Sequence, residues 1–266
     1  MAKKHDQLDI LHGSLWKSVP LFAMPVAATN ILEQLSNLVG TLMIGHFSSD
    51  GGAIGMAAVG SNLPLTSLVI QLFIGLSLGA NVTIAYAVGA KDKVRANRCA
   101  HTAVALSLIG VAVAIAMECV AEPTLQCLSV PAEVFDEALL FLRIYLIGIP
   151  AILLYNLEAA IFRSVGITRM PLIALAVSAA LNALLDVAFV PILGWGVAGV
   201  ALAMVISYLA SAAFLFARLL KAEDPIRVEL SRLRPDRSST VSIIRIGLPA
   251  AIQGAVFAIA NIVIQT

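Results

Sequence analysis

Lysine and arginine occupy every second gap between the long apolar runs of this chain, and that alternation constrains its fold more than any motif does. The runs lie near residues 17–44, 54–88, 99–120, 137–161, 171–192 and 197–218, and a seventh begins near 241 and continues to Thr266. Each of the six complete runs reaches or exceeds the roughly 17–25 residues a helix needs to cross a bilayer core. Sixteen of the seventeen Lys and Arg residues precede run 1 or lie between runs 2 and 3, 4 and 5, or 6 and 7; Arg143, near the start of run 4, is the exception. The other gaps, 45–53, 121–136 and 193–196, hold no Lys or Arg but carry Asp50, Glu122, Glu133 and Asp136. Because Lys and Arg are retained on the cytoplasmic side, the pattern predicts an all-α integral membrane protein. Its parts are a cytoplasmic N-terminus at 1–16, a six-helix lobe at 17–218, a cytoplasmic linker at 219–242 and a further helix at 243–266.

Composition excludes the main alternatives. Sixty per cent of the residues are hydrophobic and 12% are charged, against roughly 25% charged in a soluble domain. A net charge of +1 excludes a strongly basic nucleic-acid binder. The opening MAKKHDQLDILHGSLWKS is too long and too charged for the start of a cleaved signal, so run 1 is read as a retained span. Cys99, Cys119 and Cys127 form no Cys-x-x-Cys pair, which predicts three inert buried thiols and neither a zinc site nor a disulfide framework. Gly75, Gly79 and Gly89 in run 2 are spaced to let a neighbouring helix approach closely.

The stretch after the linker echoes the start of the chain. Pro25 and Asn37 bracket PVAATNILEQLSN, and Pro249 and Asn261 bracket PAAIQGAVFAIAN at a constant offset of 224 residues. An even number of spans separates the copies, which predicts a parallel repeat about the membrane normal. Six strings then occur in a telling order: NLVGTLMIGHF, YAVGAKDKVRANRCAHTAV, FLRIYLIGIP, FRSVGITRMPL, NALLDVAFVPILGWGVAGVALAMVIS and RIGLPAAIQ. In this order the chain, over residues 14–266, resembles the N-terminal half of the multidrug and toxic compound extrusion (MATE) transporters, and specifically their DinF-like branch. The resemblance implies a twelve-helix, two-lobe transporter in the cell membrane that exports organic, cationic and amphipathic compounds in exchange for H+ or Na+, with no other cofactor. It also implies that a C-terminal lobe is missing here, so that the chain is a fragment with one lobe and the first helix of its twin.

Charged groups inside spans are costly, so each is a candidate for function. Asp186 lies fifteen residues beyond Pro171, about 22 Å into its span at 1.5 Å per residue, with no basic residue nearby in sequence. Asn182 is one turn earlier on the same face and is expected to hydrogen-bond the carboxyl in either protonation state. An ionised carboxyl there gives up its hydration and a protonated one does not, so Asp186 is placed to take up and release a proton. The resemblance implies the same Asn182 and Asp186 pair as the cation site, with Na+ as the other possible ion. Glu33 shares a helix face with Asn37 and is a second candidate for lining the cavity or for coupling, above a possible bend at Pro25. Glu118 and Arg143 sit near span ends, where snorkelling to the headgroups suffices, and Glu158 is expected to pair with Arg163.

Three positions depart from the family's pattern. Gly40, Phe141 and Met204 stand where Asp, Tyr and Thr are common, which reduces the polar network to Asn182 and Asp186, with Glu33 able to substitute from another level. Two other functions fit a membrane lobe. A flippase for lipid-linked oligosaccharide or peptidoglycan precursors needs Arg or Lys for pyrophosphate, and almost none lies within these spans. An enzyme needs a catalytic cluster, whereas His46 and His101 fall at span ends. A non-transporting truncated membrane protein remains the third alternative.

Overall fold

The computed structural model describes the backbone of residues 15–47, 52–128 and 130–265; the side chains of 15–19, 21–22, 37, 259 and 261–265 lie outside the described residues. Among the described residues eight α-helices follow one another: α1 (Leu15–Phe47), α2 (Ala53–Gly89), α3 (Lys93–Leu106), α4 (Ile109–Cys127), α5 (Ala132–Ser164), α6 (Arg169–Val187), α7 (Gly196–Leu220) and α8 (Arg237–Gln265). Among the described residues there is no strand. Six helical stretches are long and apolar enough to cross a bilayer: Ala53–Gly89, Lys93–Cys127, Ala132–Ser164, Arg169–Ile192, Gly196–Leu220 and Arg237–Ala258. The 33-residue α1 has the length of a further span.

One predicted span is broken. Run 3 divides into α3 and α4 at Ser107–Leu108, where the Ser107 hydroxyl donates to the Val104 carbonyl. Span 5 changes pitch instead: α6 passes into a π turn at Ala188–Ile192, and Gly194, with φ of 69°, reverses the chain into α7. That left-handed conformation is one glycine adopts without steric cost.

Helix α5 is the axis of the lobe, packed against α2, α4 and α7. Its apolar side chains Leu142, Leu146, Ile149, Leu153, Leu157 and Ile161 are almost wholly buried. Polar crosslinks fix its neighbours: Asn62 Nδ2 donates to Ala138 O at 2.9 Å, joining α2 to α5, and Ser178 Oγ donates to Ser207 O at 2.7 Å, joining α6 to α7. Outward-facing residues such as Ile147, Leu184 and Ile192 are more than two-thirds exposed, a surface that suits lipid and not water.

Helix α8 lies along α2 with very close backbones. A β-carbon on Gly75 would overlap the Ala251 backbone, and one on Gly79 would overlap the Ile243 carbonyl. Two of the three glycines singled out in run 2 therefore permit a close approach, whereas nothing lies within 4 Å of a β-carbon at Gly89. The thiols divide as well: Cys99 is buried, but Cys119 and Cys127 are exposed, because α4 turns them away from the core and the bilayer does not penalise an exposed thiol there.

The segment at 219–242 is not a free tether. Ile226 and Val228 are buried, and Asn97 Nδ2 donates to the carbonyls of Pro225 and Arg227 at 3.1 and 2.8 Å. His101 is almost completely buried. Its Nε2 accepts from the Glu229 N–H at 2.9 Å, so its proton sits on Nδ1, which donates to Asn97 O at 2.9 Å. Asp236 caps α8 by accepting from the Ser239 backbone N–H and hydroxyl, and these bonds hold its carboxyl below the usual carboxylate range.

Replacing His101 with Phe leaves the Glu229 N–H unpaired, a loss of about 1–3 kcal/mol. The open form of the 219–242 segment is then expected to become roughly 5- to 150-fold more populated, read as faster tryptic cleavage after Arg227 and Arg232. Unchanged cleavage would mean that Asn97 and Thr102, which accepts from the Asp236 N–H at 3.1 Å, hold the segment without His101.

Candidate functional site

Helices α1, α2, α5, α6 and α7 enclose a cavity of about 500 Å³. It is lined by Val59 and Leu63 near the start of α2 and by Phe141 and Val200 near the starts of α5 and α7. These are the ends remote from the 219–242 strap, so the cavity occupies the half of the lobe away from it. Helix α1 gives the cavity a polar stripe of Asn30, Glu33, Gln34 and Thr41, with Thr66 and Gln71 opposite on α2. Tyr145 of α5 and Tyr208 of α7 complete the wall.

Asp186 stands just behind this wall. It is fully buried, and among the described residues neither carboxyl oxygen has a hydrogen-bond partner. Its Oδ2 lies 3.7 Å from where a β-carbon on Gly40 would sit, and Val200 Cγ1 lies 3.0 Å from the same point. Gly40 and Val200 both line the cavity, so the barrier between Asp186 and the cavity at this point is the backbone of a glycine and one valine side chain. Asn182, one turn earlier, is buried and reaches the cavity. The expected hydrogen bond between Asn182 and Asp186 is not made: the two share a face of α6, but the amide is directed to the cavity and the carboxyl lies behind Gly40.

Glu33 is half-buried and meets Asn182 at the cavity. A smaller void of about 30 Å³ between α1, α6 and α7 also touches Glu33, Asn182 and Tyr208. Glu33 and Asn182 are thus brought together, with Asp186 one wall away. Asn37 lies in α1, but its side chain falls outside the described residues. Helix α1 runs unbroken through Pro25, whose carbonyl accepts the Thr29 hydroxyl at 2.8 Å. Gly40, Phe141 and Met204 all line the same cavity as Asn182, so the three departures from the family's pattern fall on one wall system.

Two expectations about charges are corrected. Glu158 does not pair with Arg163; it is fully buried and both its oxygens lack partners. Glu118 and Arg143 do not only snorkel but pair with each other, at 3.0 Å, on the exposed faces of α4 and α5. Among the described residues no group of three or more His, Cys, Asp or Glu is placed to hold a metal ion. Sequence reasoning missed Asn30, Gln71, Tyr145 and Tyr208; polar residues recurring at three- and four-residue intervals in α1 were the available signal for the first.

The family model MatE matches residues 25–188. The chain belongs to the MATE family. It is 29% identical over 259 residues to the Probable multidrug resistance protein YoeA of Bacillus subtilis, covering 94% of this chain and 55% of that protein. Among solved structures it superposes on a MATE crystal structure in the bent conformation with a TM-score of 0.89 at 27% identity, over 98% of this chain and 58% of that one. It also matches the outward-facing conformation of a multidrug resistance MATE family transporter of the MOP superfamily with a TM-score of 0.88 at 26% identity, over 98% of this chain and 57% of that one. The chain therefore spans somewhat more than half the length of these relatives, and the six-helix N-terminal lobe is the part it shares with them.

Proposed function

We propose that this chain is the ion-responsive lobe of a secondary antiporter of the cell membrane, acting with a second six-helix lobe to export organic cations in exchange for protons. The observation that carries this reading is Asp186, a fully buried carboxyl without a partner, held one glycine away from a polar cavity. When ionised it adds negative charge behind the cavity wall, which favours a cationic solute; when protonated it removes that attraction and favours release. Glu33, Gln34 and Asn182 supply polar contacts, and Tyr145 and Tyr208 supply ring faces that attract organic cations. Exchange across the membrane then draws on about 2.3 kcal/mol per charge per 100 mV.

The surroundings of Asp186 favour a proton over Na+ as the coupling ion. A hard cation needs several oxygen ligands; among the described residues, Gly40 and Val200 beside Asp186 offer no side-chain oxygen, and the Asn182 amide is directed to the cavity. Among the described residues no Lys or Arg lines the cavity, which counts against a pyrophosphate-bearing lipid as cargo. The test is the complete transporter in proteoliposomes with a trapped pH-sensitive dye. An organic cation added against an imposed proton gradient should dissipate that gradient at a rate that saturates with the cation. Solute movement that follows an imposed Na+ gradient and ignores the proton gradient would replace H+ with Na+; solute movement that ignores both would overturn the antiporter.

A further inference from the structure

A second cavity, of about 410 Å³, opens at the seam between α2 and α8 on the side of the 219–242 strap. Arg95 of α3 and Arg245 of α8 both line it. Among the described residues neither has an ion-pair partner, and no carboxylate lines the space. The Arg95 guanidinium is 6.0 Å from the centre of the Tyr86 ring, and that ring is 70% exposed. The wall below is Val82 and Ile246, both exposed, continuous with the apolar sides of α2 and α8. Ser242 adds a hydroxyl at the rim, whose proton goes to Ser238 O at 2.9 Å.

The neighbouring cavity between α3 and the strap provides a contrast. Lys93, Arg98, Arg232 and Arg234 line it, but so do Asp224, Glu229 and Asp236, so its charge is largely met within the protein. The α2–α8 seam has two cations, an interfacial tyrosine, an apolar wall and no internal counter-charge. Basic pockets between membrane helices on the cytoplasmic side suit anionic headgroups, and the apolar wall distinguishes a lipid from a soluble anion.

We propose that this seam binds an anionic phospholipid, with its phosphate between Arg95 and Arg245 and an acyl chain along Val82 and Ile246. The lipid joins α3 to α8 across the junction where the six-helix lobe meets the next helix, and so favours the packed arrangement of α2 and α8. This assignment does not depend on the transport reading.

The experiment uses the purified protein in detergent, titrated with phosphatidylglycerol or phosphatidylcholine and read by native mass spectrometry and thermal unfolding. Two arginines facing an anionic headgroup should give roughly a 30-fold preference for phosphatidylglycerol, together with a higher unfolding temperature. Arg95→Gln/Arg245→Gln should lose that preference, and Arg218→Gln, at the end of α7, should keep it. Equal binding of the two lipids, or an unchanged preference in the double variant, overturns the proposal. If inorganic phosphate alone reproduces the stabilisation, the site takes a soluble anion and the lipid assignment fails. Should the double variant not fold, Tyr86→Cys in a Cys119→Ser/Cys127→Ser background, which removes the two exposed native thiols, serves instead: phosphatidylglycerol should slow its alkylation by a maleimide at least several-fold more than phosphatidylcholine, and equal protection is a negative result.

Discussion

Asp186→Asn in the complete transporter is expected to reduce proton-coupled efflux to the level of protein-free vesicles and to flatten its dependence on pH, without lowering thermal stability. Two readings of a buried carboxyl differ on that last point. A carboxyl retained as glue between helices makes hydrogen bonds, and removing it costs stability. Asp186 makes none: both oxygens are buried and unpartnered, so the folded protein bears a desolvation cost with no compensating bond. Asparagine keeps the volume and removes the titration. Its own amide is no better satisfied, so the change in stability should stay within about 1 kcal/mol in either direction. Efflux and unfolding temperature, measured on the same preparation, therefore separate the two roles. Intact coupled efflux with a normal pH profile would remove Asp186 from the mechanism, and a large drop in unfolding temperature would make it structural. Asp186→Glu restores a titratable group but must lengthen toward Gly40 and Val200, so partial recovery of the pH profile is the expected outcome.

The helices were legible in the sequence because their signal is redundant. Apolar length and the placement of Lys and Arg agree, Arg143 apart, and the described helices depart from the expected ends by at most seven residues, the most at run 3. The break at Ser107–Leu108 was not legible, since VALSLIGVAVAIA is apolar throughout and a local turn changes neither length nor hydropathy. The packing of the 219–242 linker was hidden for the opposite reason: its charges concealed Ile226 and Val228, two buried residues. Glu158 and Arg163 were matched on proximity in sequence alone. Five residues advance a helix by about 140° beyond a full turn, which places the two side chains on different faces. Asp186 and Asn182 were found because a lone polar pair stands out in an apolar span. Their relation to Gly40 depends on how α1, α6 and α7 pack, and no spacing within one helix encodes that.

Gly79→Leu is expected to displace α8 from α2, and this tests which contact closes the strap side of the lobe. The β-carbon would overlap the Ile243 carbonyl and come within 2.8 Å of the Gly247 nitrogen and 2.9 Å of its Cα. These are backbone atoms, which cannot move aside by changing rotamer, so the helix as a whole must shift. Overpacking of this kind costs about 1–3 kcal/mol, occasionally more. The displacement can be read directly, because a β-carbon on Gly254 would lie 3.3 Å from Gln71 Cβ, close to the roughly 3.5–4.5 Å that a disulfide spans. Gln71→Cys/Gly254→Cys should therefore crosslink readily under mild oxidation, and adding Gly79→Leu should cut the yield several-fold. Gly89→Leu, with nothing within 4 Å of its β-carbon, should leave the yield unchanged. A crosslink insensitive to Gly79→Leu would mean that α8 is held elsewhere. The close approach runs from Gly79 to Gln71, and Gln71 is itself part of the cavity wall. The glycines of α2 thus close its seam with α8 as far as Gln71, where the polar cavity opens toward Leu63 and Val59.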